Sequence, residues 1–165
     1  TWRNAMKTLL QILIVLLALS GCNTQTSADI GQSAPTIAAK QLDGQALAPH
    51  ITQGKAVVLA FFKNGCASCL KDLPKLNTMA HEQRDKLVVL AINALDSPET
   101  IADMAQRFGW DSMILLKDEL GITSKRYDVA VTPTLIILDK NGIIAARIVG
   151  ERAWEGTEKI LYEVL

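Results

Sequence analysis

Residues 56–69 read Ala56-Val57-Val58-Leu59-Ala60-Phe61-Phe62-Lys63-Asn64-Gly65-Cys66-Ala67-Ser68-Cys69, and this stretch decides the fold. Its first seven residues are an unbroken apolar run with branched and aromatic side chains. That is the composition of a strand buried on both faces, and hence one in the middle of its sheet. The run ends at Lys63-Asn64-Gly65. A helix is predicted from about Cys66 to His81, because Leu70, Leu73, Leu76, Met79 and Ala80 recur at spacings of three and four along one face. Pro74 interrupts that helix and is expected to kink it.

Cys66 and Cys69 fall three apart on the first turn of this helix, where side chains are neighbours and the Cα atoms can come within the roughly 4.4–6.8 Å that a disulfide requires. The helix start also presents unpaired backbone N–H groups and the positive end of the peptide dipole, which favour a thiolate over a thiol. Cys66 is therefore expected to be the nucleophile. Its pKa should fall from about 8.5 into the range of about 3.5–7.5 seen at such positions. Cys69, one turn deeper, is expected to be the resolving thiol that attacks the mixed disulfide and releases the partner.

Outward from this stretch the chain alternates strands and helices, the pattern of an α/β domain. On the N-terminal side, Thr36–Leu42 and Gln45–Leu47 flank Asp43-Gly44, which predicts a leading hairpin with a type I′ turn. On the C-terminal side, Leu87–Ile92 predicts a strand. Ser97 as cap and Pro98 at the first helical position then open a helix to Phe108, closed by Gly109. Met113–Leu116 predicts a strand and Leu120–Tyr127 a short helix. Thr134–Leu138 and Ile143–Val149 predict an antiparallel hairpin turning through Asn141-Gly142, and Ala153–Leu165 a closing helix. Trp110, Tyr127 and Trp154 are expected to pack inside rather than to form a recognition surface.

The first part of the chain has another character. Lys7 precedes a greasy run from Leu9 to Leu19, followed by Leu19-Ser20-Gly21-Cys22. The run is too short for a membrane span, which needs about twenty apolar residues, but it has the order of an export signal. Residues 19–22 resemble the bacterial lipobox, which implies that Cys22 is acylated and becomes the first residue of the mature protein. Residues 1–21 are thus expected to be signal peptide, with 1–5 upstream of the natural start at Met6. Residues 22–33 are expected to be a lipidated Cys and flexible tether, rich in Asn, Thr, Gln and Ser, and 34–165 a single domain. The expected location is the bacterial cell envelope, on the extracytoplasmic side and facing the periplasm in a Gram-negative organism.

Basic and acidic residues number 17 each. Nucleic acid is not an expected partner, since phosphate binding needs a concentrated positive excess. With Cys22 committed to lipid, Cys66 and Cys69 have only each other, so the pair is either a redox site or half of a metal site.

Five separated motifs narrow this choice. Gly31-Gln32-Ser33-Ala34-Pro35 with Leu42-Asp43-Gly44, Gly54 to Leu59, Cys66 to Cys69 with Pro74, Val131-Thr132-Pro133-Thr134, and Leu138 to Gly142 occur in the order seen in one family. From about Ile30 to its end the chain resembles the thioredoxin superfamily, and within it the TlpA/ResA-like group of membrane-tethered thiol-disulfide oxidoreductases. The resemblance implies a thioredoxin-like fold, a central mixed β-sheet flanked by helices with an N-terminal hairpin extension, and no cofactor. It implies that the Thr132-Pro133 bond is cis and lies against the active-site disulfide, so that Thr132 and Pro133 bind an extended substrate segment by strand addition. It places Asp72, on the Cys69 face of the helix, where relatives carry a proton-transferring Glu. It also implies partners: disulfide-containing envelope proteins such as apocytochrome c, and a membrane thiol donor of the DsbD or CcdA type.

The chain departs from the family pattern in two places. Lys63-Asn64-Gly65 replaces the aromatic residue common before the first Cys, and Ala60 stands where thioredoxin has a buried Asp. Two rival readings share the fold. A metal-binding module, for copper or zinc, would want a second Cys or His pair, and His50 and His81 are isolated. A peroxiredoxin-like peroxidase would want a Thr three residues before its Cys, where Lys63 stands.

Overall fold

The computed structural model describes Trp2, residues 28–151, Ala153, Trp154 and residues 156–165. The expected signal segment and Cys22 lie outside the described residues, apart from Trp2. In chain order the elements are β1 (Lys40–Gln41), β2 (Ala56–Phe61), α1 (Ala67–Glu82), β3 (Leu87–Asn93), α2 (Pro98–Phe108), β4 (Ile114–Lys117), α3 (Ile122–Arg126), β5 (Thr134–Leu138), β6 (Ile144–Val149) and α4 (Thr157–Val164).

The apolar run at 56–61 lies in the interior of a six-stranded sheet of order β1-β4-β3-β2-β5-β6. β2 runs parallel to β3 and antiparallel to β5, β3 runs parallel to β4, and the outer pairs are antiparallel. Every residue of β2, β3 and β5 is buried, as continuous apolar strands covered on both faces must be. Alternate side chains of β2 enter two separate cores. Val58 and Ala60 join Leu73 of α1, Ile101 of α2 and Leu161 of α4. Val57, Leu59 and Phe61 join Ile136 and Tyr127. This is the mixed sheet with flanking helices that the family resemblance implies.

Helix boundaries follow from local chemistry. Ser97 Oγ accepts from Thr100 N–H at 3.2 Å and Gly109 closes α2 in the left-handed region, both as read from sequence. Pro74 lies inside α1 without ending it.

Three expectations are corrected. The Asp43-Gly44 turn is not the expected type I′, which needs positive φ at both central residues: Gly44 is left-handed and Asp43 is not, and in the second hairpin Gly142 is left-handed and Asn141 is not. Each turn is a three-residue loop. Gly44 N–H bonds Gln41 O and Gly142 N–H bonds Asp139 O, while the Asp43 and Asp139 carboxylates accept the backbone N–H two residues on. The closing helix begins at Thr157 rather than Ala153, because Ala153 and Trp154 sit in turns and Gly156 takes a left-handed φ of 87°. Residues 28–33, expected as tether, lie against the domain. Gly31 N–H bonds Ile144 O, Ile144 N–H bonds Gln32 O, Ser33 bridges Ile143, and Arg147 reaches Ala28 O. These are mostly backbone bonds, which a polar composition does not reveal.

Tyr127 ties the same leading segment down. It is fully buried and its hydroxyl donates to Pro35 O at 2.6 Å. Burial pushes the hydroxyl's pKa well above its ordinary value, against a smaller lowering by Arg126. The folded state therefore holds this proton longer than the unfolded chain, so the associated stability is complete below about pH 10 and is lost as pH rises beyond it. Tyr127→Phe is expected to cost about 1–3 kcal/mol at neutral pH by leaving Pro35 O unpaired. It should also flatten the alkaline limb of a stability-versus-pH curve from chemical denaturation.

Candidate active site

The chain leaves β2 at Phe61 and needs a sharp reversal to start α1. Gly65 supplies it with φ of 75°, a conformation that any side chain would strain. Cys66 follows as the N-cap of α1, with extended backbone angles, and its Sγ accepts from Cys69 N–H at 3.2 Å. The first sulfur thus takes up a backbone donor of the helix end, one of the groups that a helix leaves unpaired. Cys66 and Cys69 are joined in a disulfide with Cα atoms 5.2 Å apart. Access to the two is unequal: Cys66 keeps 7% of its surface exposed and Cys69 none.

Asp72 lies one turn below Cys69. It is a buried carboxylate, 3% exposed, whose Oδ1 is 3.7 Å from Lys75 Nζ. Its Oδ2 is buried and meets no hydrogen-bond partner among the described residues. Lys75 Nζ also stands 5.4 Å from the centre of the Trp154 ring. Burying a carboxyl group with few partners is costly.

Thr132 and Pro133 arrive from the other side of the sheet centre. Thr134 pairs with Phe61 across β5 and β2, so the residues before Thr134 run beside those leading from β2 to Cys66. The Thr132-Pro133 bond is cis, as the resemblance implies. Thr132 and Lys63 share the lining of a groove of about 290 Å³ with Phe61, Phe62, Leu95 and Val131. Leu95 and Val131 rise from it, 74% and 50% exposed. The Thr132 hydroxyl is buried and unpartnered among the described residues. Lys63 itself is exposed.

The support beneath this site does not show in the sequence. Asn93 ends β3 fully buried, its Oδ1 accepting the Leu95 and Asp96 N–H groups at 2.9 Å each. Its Nδ2 donates to Asp96 Oδ2 at 2.7 Å, and the same oxygen accepts Asn64 N–H at 2.7 Å. The only signal in the sequence was a polar Asn at the end of an apolar strand. Among the described residues, no three His, Cys, Asp or Glu side chains are grouped to hold a metal ion.

A vicinal dithiol-disulfide on the first turn of a helix, in this sheet, defines a thiol-disulfide oxidoreductase of the thioredoxin fold. Residues 30–147 match the AhpC/TSA family, and the chain belongs to it. Thioredoxin-like protein YneN of Bacillus subtilis is 32% identical, over 81% of this chain and 83% of its own. Thiol-disulfide oxidoreductase ResA of Bacillus cereus is 26% identical over 92% and 94%. In three dimensions the chain superposes on a secreted Mycobacterium tuberculosis disulfide oxidoreductase homologous to E. coli DsbE. The TM-score is 0.64 at 20% identity, over 76% of this chain and 92% of the other, and this likeness speaks for the fold.

Proposed function

We propose that the protein is a lipid-anchored, extracytoplasmic thiol-disulfide reductase acting on disulfides of envelope proteins. The observation that carries this reading is the unequal access of two sulfurs bonded across one helical turn. The reduced Cys66 thiolate attacks a client disulfide sulfur. The client S–S bond breaks, its first thiolate leaves and takes up a proton, and a mixed disulfide forms. Cys69, deprotonated with the help of Asp72, then attacks Cys66 Sγ and expels the second client thiolate. The client has gained two electrons and the pair is again a disulfide, to be reduced by a membrane thiol donor. Thr132 and Pro133 hold the client segment alongside the lead-in to Cys66.

The relatives' names support thiol-disulfide exchange, and the lipobox-like Leu19 to Cys22 supports the anchor. Attachment is assigned to lipid on Cys22 from the lipobox-like residues 19–22; among the described residues no helix is long and apolar enough to cross a membrane. The peroxidase reading is disfavoured by Lys63, which stands exposed where that chemistry wants a threonine. Equilibrating the pair with glutathione tests the direction of flow. A potential well below that of the glutathione couple is expected, and a strongly oxidising one would reverse the assignment. In the same strain, Cys22→Ser should move the protein from the membrane to the soluble fraction; continued membrane association would refute the anchor.

A further inference from the structure

We infer that Asp96 is a positioning residue for the nucleophile, fixing through hydrogen-bond geometry the turn that sets where Cys66 sits. This rests on the reading of Cys66 as the attacking sulfur. The segment Lys63-Asn64-Gly65 is exposed and has no side chain of its own in the core. Among the described residues its first tie leaves the segment, Asn64 N–H to Asp96 Oδ2 at 2.7 Å, and a second bond lies within it, Gly65 N–H back to Asn64 Oδ1 at 2.9 Å. The first tie reaches across to the loop after β3, thirty-two residues on.

That loop is itself made rigid. Asn93, fully buried, uses its amide oxygen for two backbone donors and its amide nitrogen for Asp96. Lys117 donates to Ala94 O at 2.8 Å. Asp96 therefore couples a stiff shelf at the end of β3 to the turn immediately before Cys66. Bonds of 2.7 Å are at the short end for N–H donors. The shelf also carries exposed Leu95 on the rim of the 290 Å³ groove, so one carboxylate sets the sulfur and the groove wall relative to each other.

The test compares Asp96→Ala and Asp96→Asn with the wild type as reduced proteins reacting with a small aromatic disulfide, which needs no groove. Asp96→Ala is expected to slow Cys66 by about tenfold to a hundredfold, the scale of a reacting group displaced by up to an ångström, while melting stays cooperative. Asp96→Asn keeps an oxygen in place for both donors and should restore most of the rate. A wild-type rate in Asp96→Ala, or an Asp96→Asn as slow as the alanine variant, would overturn the inference. Amide hydrogen exchange on the wild type gives an answer that does not depend on any variant folding. Asn64 N–H should be protected well beyond Lys63 N–H, and exchange as fast as an open loop would overturn the tie. A wild type that reacts through Cys69 instead would sink the exchange reading, and the positioning role with it. Asn64 protection in that case would still stand, which tells the two failures apart.

Discussion

Cys66→Ser and Cys69→Ser are each expected to reduce steady-state disulfide reductase turnover by roughly a thousandfold or more, the scale on which loss of a covalent nucleophile is felt. The two should fail at different steps. Without Cys66 the accessible sulfur is gone, and Cys69, which has no exposed surface, cannot meet a client. Without Cys69 the first attack proceeds, but nothing expels the client from Cys66. Single-turnover kinetics with a model disulfide separates these cases: Cys69→Ser should release one client thiol per protein in a burst, and Cys66→Ser none. Stability should change little in either variant, because a bridge closing so short a loop constrains the unfolded chain far less than a long one.

The second large effect is expected at Asp72. Asp72→Asn keeps shape and volume but removes the carboxylate, and proton transfer by a positioned group is worth about 10²–10⁴ in rate. Turnover should fall by about a hundredfold at neutral pH. The loss should fall on the resolving step, where Cys69 must give up its proton, and not on the burst from Cys66. Denaturant unfolding should show the variant equal to or more stable than the wild type, since a buried carboxyl group with one oxygen unpartnered among the described residues is destabilising to keep. Lower activity with undiminished stability is the signature of a residue retained for function. A variant that loses stability and keeps its turnover would make Asp72 a packing residue paired with Lys75.

The parts of the fold that sequence made legible are those decided by local rules. The apolar run at 56–61, the Ser97 and Gly109 caps and the i, i+3 placement of Cys66 and Cys69 each have one physical reading, and the structure has them so. The type I′ turn expected at Asp43-Gly44 does not form because a dipeptide does not say how many of its residues take positive φ; here the Asp43 carboxylate accepts the Gln45 N–H and Gly44 alone is left-handed. α4 starts later than the apolar pattern predicts because Ala153 and Trp154 carry that pattern while sitting in turns. The Asn93, Asp96 and Asn64 network was invisible for a different reason. It joins residues about thirty apart whose meeting depends on β2 and β3 lying side by side, and no spacing in the chain announces it.

One measurement goes most directly to the claim that the outer sulfur attacks and the inner one resolves. Cys66→Ser and Cys69→Ser proteins, each expressed in the envelope of the native host, are recovered under acid quench and their mixed disulfides identified by mass spectrometry. Cys69→Ser should carry client proteins bonded through Cys66, and Cys66→Ser should carry none. Clients bonded to Cys69, or an empty Cys66 in the Cys69→Ser protein, would contradict it.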